Sequence, residues 1–197
     1  ANRNNNIYRI DKLGLKCCLI SMRSPGGLHS GHSILSCDDG TYLSWMPSHW
    51  GYDVGGVIFG MGHNNTFSDD FSSDHYGTIT NGNPNADGTI ITDQGRIGSV
   101  VCSDCIQGRD VKKSSKGEHW YAFHNCADVT NDAIKNALNV PKIKCKCGEH
   151  PHNIFSSAFI ETPQSVEGVY GMLNEDNDGD GKPDCNPWRC VKDTKPK

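Results

Sequence analysis

Two residues of this 197-residue chain are set where a side chain could attack a carbonyl: Cys126, in His-Asn-Cys-Ala-Asp-Val (124–129), and His32, in Gly-His-Ser-Ile-Leu-Ser (31–36). Asn125 is a suitable helix cap and Asp128 suits a first turn, so Cys126 is expected at the first helical position. Unpaired N–H groups and the helix dipole stabilise a thiolate there and lower its pKa. The same N–H groups are placed to receive an oxyanion. A thiol also needs a base, which can be distant in sequence. Nine histidines are available, so position has to choose among them. His32 is the best placed, inside a β-rich run between glycine and small residues; His49 and His124 rank behind it as base or orienter. The blander alternatives are a buried or disulfide-bonded cysteine and a structural histidine.

The elements that must carry these residues can be read from the pattern. Gly-His-Ser-Ile-Leu-Ser-Cys (31–37) and Thr-Tyr-Leu-Ser-Trp-Met-Pro (41–47) flank Asp-Asp-Gly (38–40), which reads as a hairpin. A three-residue loop with Gly40 in the left-handed region sets Cys37 opposite Thr41 and His32 opposite Met46. Ser44 then becomes the diagonal neighbour of His32 on one face, able to orient the imidazole as the third member of a triad. A two-residue loop would turn Ser44 to the other face. Residues 126–139 form the clearest helix, with Ala127, Thr130, Ile134, Ala137 and Leu138 on one stripe and Pro141 beyond its end.

Between residues 51 and 118 the chain is a loop-rich insertion with short apolar pieces at Val57–Phe59, Thr89–Thr92 and Ile97–Val101. The domain carrying the candidate pair spans 1–173, and the acidic, then proline-rich stretch 174–197 reads as a separate appendage. With 35% hydrophobic residues, 21% charged residues and 22 glycines, the chain is globular but rich in loops. A net charge of −4 gives no broad electrostatic reason to bind nucleic acid or an anionic membrane. Arg109, Lys112, Lys113 and Lys116 cluster, but acidic residues flank them and a solvated loop is the simpler meaning. No apolar run reaches the length of a transmembrane span, so no stable membrane insertion is expected. Ten cysteines favour an oxidising place of work: secreted, extracellular or delivered to the periplasm.

The histidine hairpin followed far downstream by His-Asn-Cys-Ala-Asp-Val resembles the circularly permuted branch of the NlpC/P60 papain-like superfamily. There the histidine strand comes first and the cysteine helix last, as in lecithin–retinol acyltransferase-like proteins and some type VI secretion hydrolase effectors. Over residues 28–140 the resemblance implies an α+β, papain-like core in which an antiparallel sheet packs against the helix carrying the catalytic cysteine. It implies Cys126 as nucleophile, His32 as general base and Ser44 at the third polar position, where such families often carry His, Asp, Glu or Gln. It further implies a cysteine peptidase or amidase acting on peptidoglycan peptides, as a cell-wall hydrolase or an antibacterial toxin with an immunity protein as partner. No cofactor is required for that chemistry. Acyl transfer or thioester cleavage on lipids is the alternative within the resemblance, and a non-catalytic, disulfide-stapled, calcium-binding surface module is the alternative outside it.

Cys102-Ser-Asp-Cys105 and Cys145-Lys-Cys147, with His150 and His152, could assemble a zinc site, but disulfides are preferred. Adjacent Cys17 and Cys18 are not expected to bond each other. If Cys126 is free, parity requires a second unpaired cysteine. Asp176-Asn-Asp178-Gly-Asp180-Gly181-Lys182-Pro-Asp184 matches the first part of a calcium loop. Oxygen side chains stand at positions 1, 3, 5 and 9, glycine at 6 and Lys182 at the backbone-carbonyl position 7, while Pro187 replaces the usual glutamate at 12. Cys185 and Cys190 are then expected to close a small loop after it. Asn83 to Gly88 is a fainter copy and reads as a turn.

Overall fold

The computed structural model describes residues 16–23, 31–47, 59–111, 119–121, 125–138, 144–154, 162–176 and 179–192. Strands β1 (Cys17–Met22), β2 (His32–Cys37), β3 (Tyr42–Pro47), β4 (Phe59–Asn64), β5 (Ile79–Asn81), β6 (Gly88–Thr92), β7 (Ile97–Ser103) and β8 (His119–Tyr121) form one sheet in the order β5-β6-β7-β1-β2-β3-β4-β8. Every pairing in it is antiparallel. Helices α1 (Phe67–Asp70), α2 (Cys126–Leu138) and α3 (Pro163–Met172) complete the body, and β9 (Glu149–Asn153) pairs with β10 (Trp188–Lys192) as a separate ribbon. The expected α+β class with an antiparallel sheet is therefore observed. The expected insertion supplies strands of this same sheet, because β7 pairs with β1 along its whole length.

Strand β1 is buried at all six residues because both faces of the sheet are covered. Alternation sends its side chains in turn to two cores. On one face Leu19, Leu35, Leu43 and Trp45 pack with Ala127, Ile134, Val166 and Tyr170 of α2 and α3. On the other, Ile20, Met22, Ile34 and Ile90 pack with Phe71 and, at the margin, Tyr42 and Tyr76. The same alternation explains the adjacent cysteines: Cys17 and Cys18 point to opposite faces and cannot meet. Cys17 bonds Cys37, its register partner on β2, and Cys18 bonds Cys102, its register partner on β7.

Two further disulfides, Cys105–Cys185 and Cys145–Cys190, staple the acidic tail to the body. This corrects the expected small loop closed by Cys185 and Cys190: β10 lies against β9, which carries Cys190 to Cys145 instead. All ten cysteines are thus assigned, with Cys126 buried and free and Cys147 exposed and free, as parity requires. The zinc alternative loses Cys102, Cys105 and Cys145 to these bonds, and among the described residues no three metal-ligating side chains gather. Disulfides fit an oxidising compartment, and no helix among the described residues is long and apolar enough to cross a membrane.

Candidate active site

The hairpin adopts the three-residue loop. Gly40 has φ of 84°, a conformation that favours glycine. Its N–H donates to Cys37 O at 3.0 Å, and Cys37 N–H donates to Thr41 O at 2.9 Å. Ile34 pairs with Ser44 and Ser36 with Tyr42, and His32, just beyond the last of these pairs, is diagonal to Ser44. His32 Nε2 and Ser44 Oγ are hydrogen-bonded at 2.8 Å. Both side chains are buried on the face lined by Ile34 and Tyr76.

Helix α2 starts at Cys126. Asn125 Oδ1 accepts from the N–H of Ala127 at 2.7 Å and of Asp128 at 3.2 Å, and Asp128 Oδ2 returns the bond to Asn125 N–H at 3.0 Å. This reciprocal cap fixes the first turn. Asn125→Ala is expected to lower stability by about 1 kcal/mol, measurable as a shift in the urea midpoint at unchanged slope.

The helix packs on the Leu35 face of the sheet, whereas His32 belongs to the opposite face, yet its first residue reaches the histidine strand. The Cys37–Thr41 bond shows that odd-numbered residues of β2 direct their backbone groups toward β3. Pairing with β3 ends at Ile34, while β3 goes on to pair with β4. The groups of Gly31 and Ser33 on that side meet Cys126 instead of a strand. Cys126 Sγ lies 3.8 Å from Gly31 O, and the Ser33 N–H also bonds the sulfur. The thiol thus sits where the two strands part, against the backbone on either side of His32. Thr130, one turn along the helix, donates to Ser33 O at 3.4 Å.

Tyr76 connects the pair. Its ring stacks on His32 with centroids 5.9 Å apart and planes at 15°, and it lies close enough to feel the charge of a Cys126 thiolate. Behind it, fully buried Asp70 accepts from Tyr42 Oη and from Asn65 Nδ2, each at 2.7 Å. Asn65 Nδ2 also lies 3.2 Å from His75 Nε2. Tyr76, Asp70, Asn65 and His75 all come from the segment read as a loop-rich insertion. Nothing in its Asp/Ser/Gly-rich sequence marks them, since only folding brings them beneath β2.

Electrostatics correct one expectation. Burial pushes the Cys126 thiol up to about 11, outweighing the Ser33, Ala127 and Cys126 N–H groups that favour the thiolate. Burial likewise pushes His32 down to about 4, against the opposing pull of Asp70 and with a small push from His75. Near neutral pH the pair rests as thiol and neutral imidazole. The helix-start donors are also shared with the cap: the Ala127 N–H bonds Asn125 Oδ1 as well as favouring the thiolate, and that of Asp128 bonds Asn125 Oδ1.

In the acidic tail, Asp176 accepts from the N–H groups of Gly179, Asp180 and Gly181 at 2.6, 3.2 and 2.7 Å, and Asp180 accepts from Lys182 N–H at 2.9 Å. Asp184 N–H donates to Glu175 O at 3.0 Å. Asp178, with His49 and His124, lies outside the described residues. Asn83 to Asp87 lie in the turn between β5 and β6, and Gly88 opens β6. No protein-family model matches the chain, and no curated protein or solved structure shows significant similarity to it.

Proposed function

We propose that this chain is a cysteine hydrolase that cleaves amide bonds, with peptidoglycan peptides as substrate. The observation that carries the reading is the free thiol at a capped helix start, lodged against Gly31 and Ser33 on either side of a histidine that Ser44 orients. Its order in the chain, histidine hairpin first and cysteine helix last, is that of the permuted NlpC/P60 branch it resembles.

Because both groups rest neutral, catalysis runs by general base rather than through a preformed ion pair. In the tautomer this mechanism requires, Nε2–H of His32 donates to Ser44 Oγ and the Nδ1 lone pair takes the thiol proton. As that proton transfers, sulfur bonds the carbonyl carbon and the carbonyl oxygen takes the negative charge. The N–H groups of Cys126 and Ser33, both directed at the sulfur, receive it. His32 returns the proton to the leaving amine as the C–N bond breaks. Water, deprotonated by His32, then cleaves the thioester and restores the thiol.

Incubation with purified sacculi tests the reading: soluble muropeptides bearing newly exposed amines are expected. Intact sacculi alongside a deacylated lipid would instead favour the acyltransferase-like alternative. A secreted antibacterial enzyme of this kind requires an immunity protein in the producing cell.

The tail is proposed to hold Ca²⁺ through Asp176, Asp178, Asp180 and Asp184 with the Lys182 carbonyl, a role confined to stability in which the ion draws together Asp176, Asp180 and Asp184, which are not gathered into one cluster without it. The chemistry of the donors fits a hard cation, and Gly179 and Gly181 provide left-handed φ values of 79° and 81° for the tight turn. Addition of millimolar Ca²⁺ is expected to raise the melting temperature of the wild type and leave that of an Asp176→Asn, Asp180→Asn double variant unchanged.

A further inference from the structure

A groove of about 450 Å³ runs along the outer side of α3, over Val101, with Arg23, Ser99, Gln164, Glu167, Gly168 and Gly171 around it. One end of it lies toward Gly31, the residue that stands between the groove and the thiol. Continuing the β1–β2 register beyond Met22 and His32 sets Arg23 opposite Gly31, the residue whose carbonyl lies against Cys126 Sγ. A methyl group on Gly31 would stand 2.6 Å from Met22 O, 3.2 Å from Pro163 Cγ and 3.4 Å from Gln164 Nε2. Only a bare glycine lets the end of β1 and the start of α3 close in beside the thiol. The Gln164 and Arg23 end is therefore the end nearest the reacting sulfur.

The groove has a charge order and a length. Arg23 stands exposed at the thiol end. Glu167 stands one helical turn further along, its carboxylate fixed by a bond from Ser99 Oγ at 2.6 Å to one oxygen. Among the described residues nothing bonds the carboxylate's other oxygen. Beyond it, side chains are absent: a Cβ on Gly168 or Gly171 would meet nothing within 4 Å. From Gln164 to Gly171 the helix rises about 10 Å, the span of three extended residues at about 3.3 Å each.

We propose that this groove binds an extended peptide of mixed charge, with a carboxylate side chain against Arg23 near the scissile bond and an ammonium side chain against Glu167 further away. As the substrate-binding part of the site, this assignment rests on the hydrolase reading. Two residues apart on an extended chain, the two side chains project to the same side. A glutamate and a lysine separated by one alanine therefore present both charges to the groove together.

The test measures binding, which does not depend on turnover. In a Cys126→Ala background, acetyl-Glu-Ala-Lys-amide and acetyl-Lys-Ala-Glu-amide are titrated by isothermal calorimetry at low salt. One of the two orders is expected to bind, and Gln in place of its Glu, or norleucine in place of its Lys, to weaken it about tenfold. Arg23→Gln is expected to erase the penalty for the Gln peptide, and Glu167→Gln, which keeps the Ser99 bond, to erase that for norleucine. Gly168→Leu puts a side chain into open space, so it is expected to leave the melting temperature intact and abolish binding. No binding of either peptide, or equal binding by all three variants and the parent, would overturn the proposal. An inactive wild type that still binds in this pattern would instead refute the hydrolase reading and spare the groove.

Discussion

Cys126→Ala is expected to abolish amide hydrolysis, a loss of roughly 10⁴-fold or more, as when the nucleophile of a covalent hydrolase is removed. His32→Ala is expected to cost about 10²–10⁴-fold, the usual worth of a positioned acid–base group. Combining the two should cost little beyond Cys126→Ala alone, since in the proposed mechanism one residue attacks only as the other takes its proton. Ser44→Ala removes the partner of Nε2 and is expected to act on kcat while leaving KM near its wild-type value. The resting neutral pair also places the acid limb of kcat/KM. His32 is held down to about 4 by burial, so activity is expected to persist below the pH at which an ordinary histidine would protonate. Steady-state kinetics on a defined muropeptide, for each variant and across pH 3.5–8, check all of this.

His32 is also expected to dominate the pH dependence of stability on the acid side. Its pKa falls from 6.5 to about 4 on folding, so the unfolded chain binds its proton more readily than the folded one. The stability this contributes is complete above pH 6.5 and drains away as the pH drops toward 4, by roughly 3 kcal/mol in total. The thiol acts at the other extreme. Its pKa rises from 9.0 to about 11, so that contribution is complete below pH 9 and declines as the pH climbs through 11. Urea unfolding of the wild type between pH 7 and 4 is expected to show the acid loss. His32→Gln, whose amide cannot take up a proton, is expected to flatten it over that window. An unchanged slope in His32→Gln would mean that the imidazole is already charged, or already solvated, in the folded protein.

What could be read in advance was local. The Asp-Asp-Gly loop sets the register of the hairpin, and register alone delivers Ser44 to His32. Asn125 and the apolar stripe define α2 and its first residue, and parity predicts a second free cysteine, which is Cys147. What could not be read depends on contacts distant in sequence. Tyr76 stacks on His32 from forty-four positions away, on a segment whose composition suggests only loops. Cys185 and Cys190 are close in the chain, yet they bond Cys105 and Cys145, which are distant in it. The thiol's pKa went the other way from the helix-start rule because that rule assumes a solvent-exposed terminus, and here Gly31, Ser33 and Tyr76 exclude water.

The proposed hydrolase requires that the free thiol of Cys126 react in the folded protein and that its reaction be the chemistry of the site. In a Cys147→Ser variant it is the one thiol outside the four disulfides. Labelling this variant with iodoacetamide under native conditions, followed by peptide mapping, is the most direct measurement. A carboxamidomethyl group on Cys126 is predicted, formed about tenfold faster for each pH unit between 7 and 10 because only the thiolate reacts, with hydrolytic activity falling in step with the label. A Cys126 recovered in a disulfide, or labelled only at the rate of global unfolding, would contradict it.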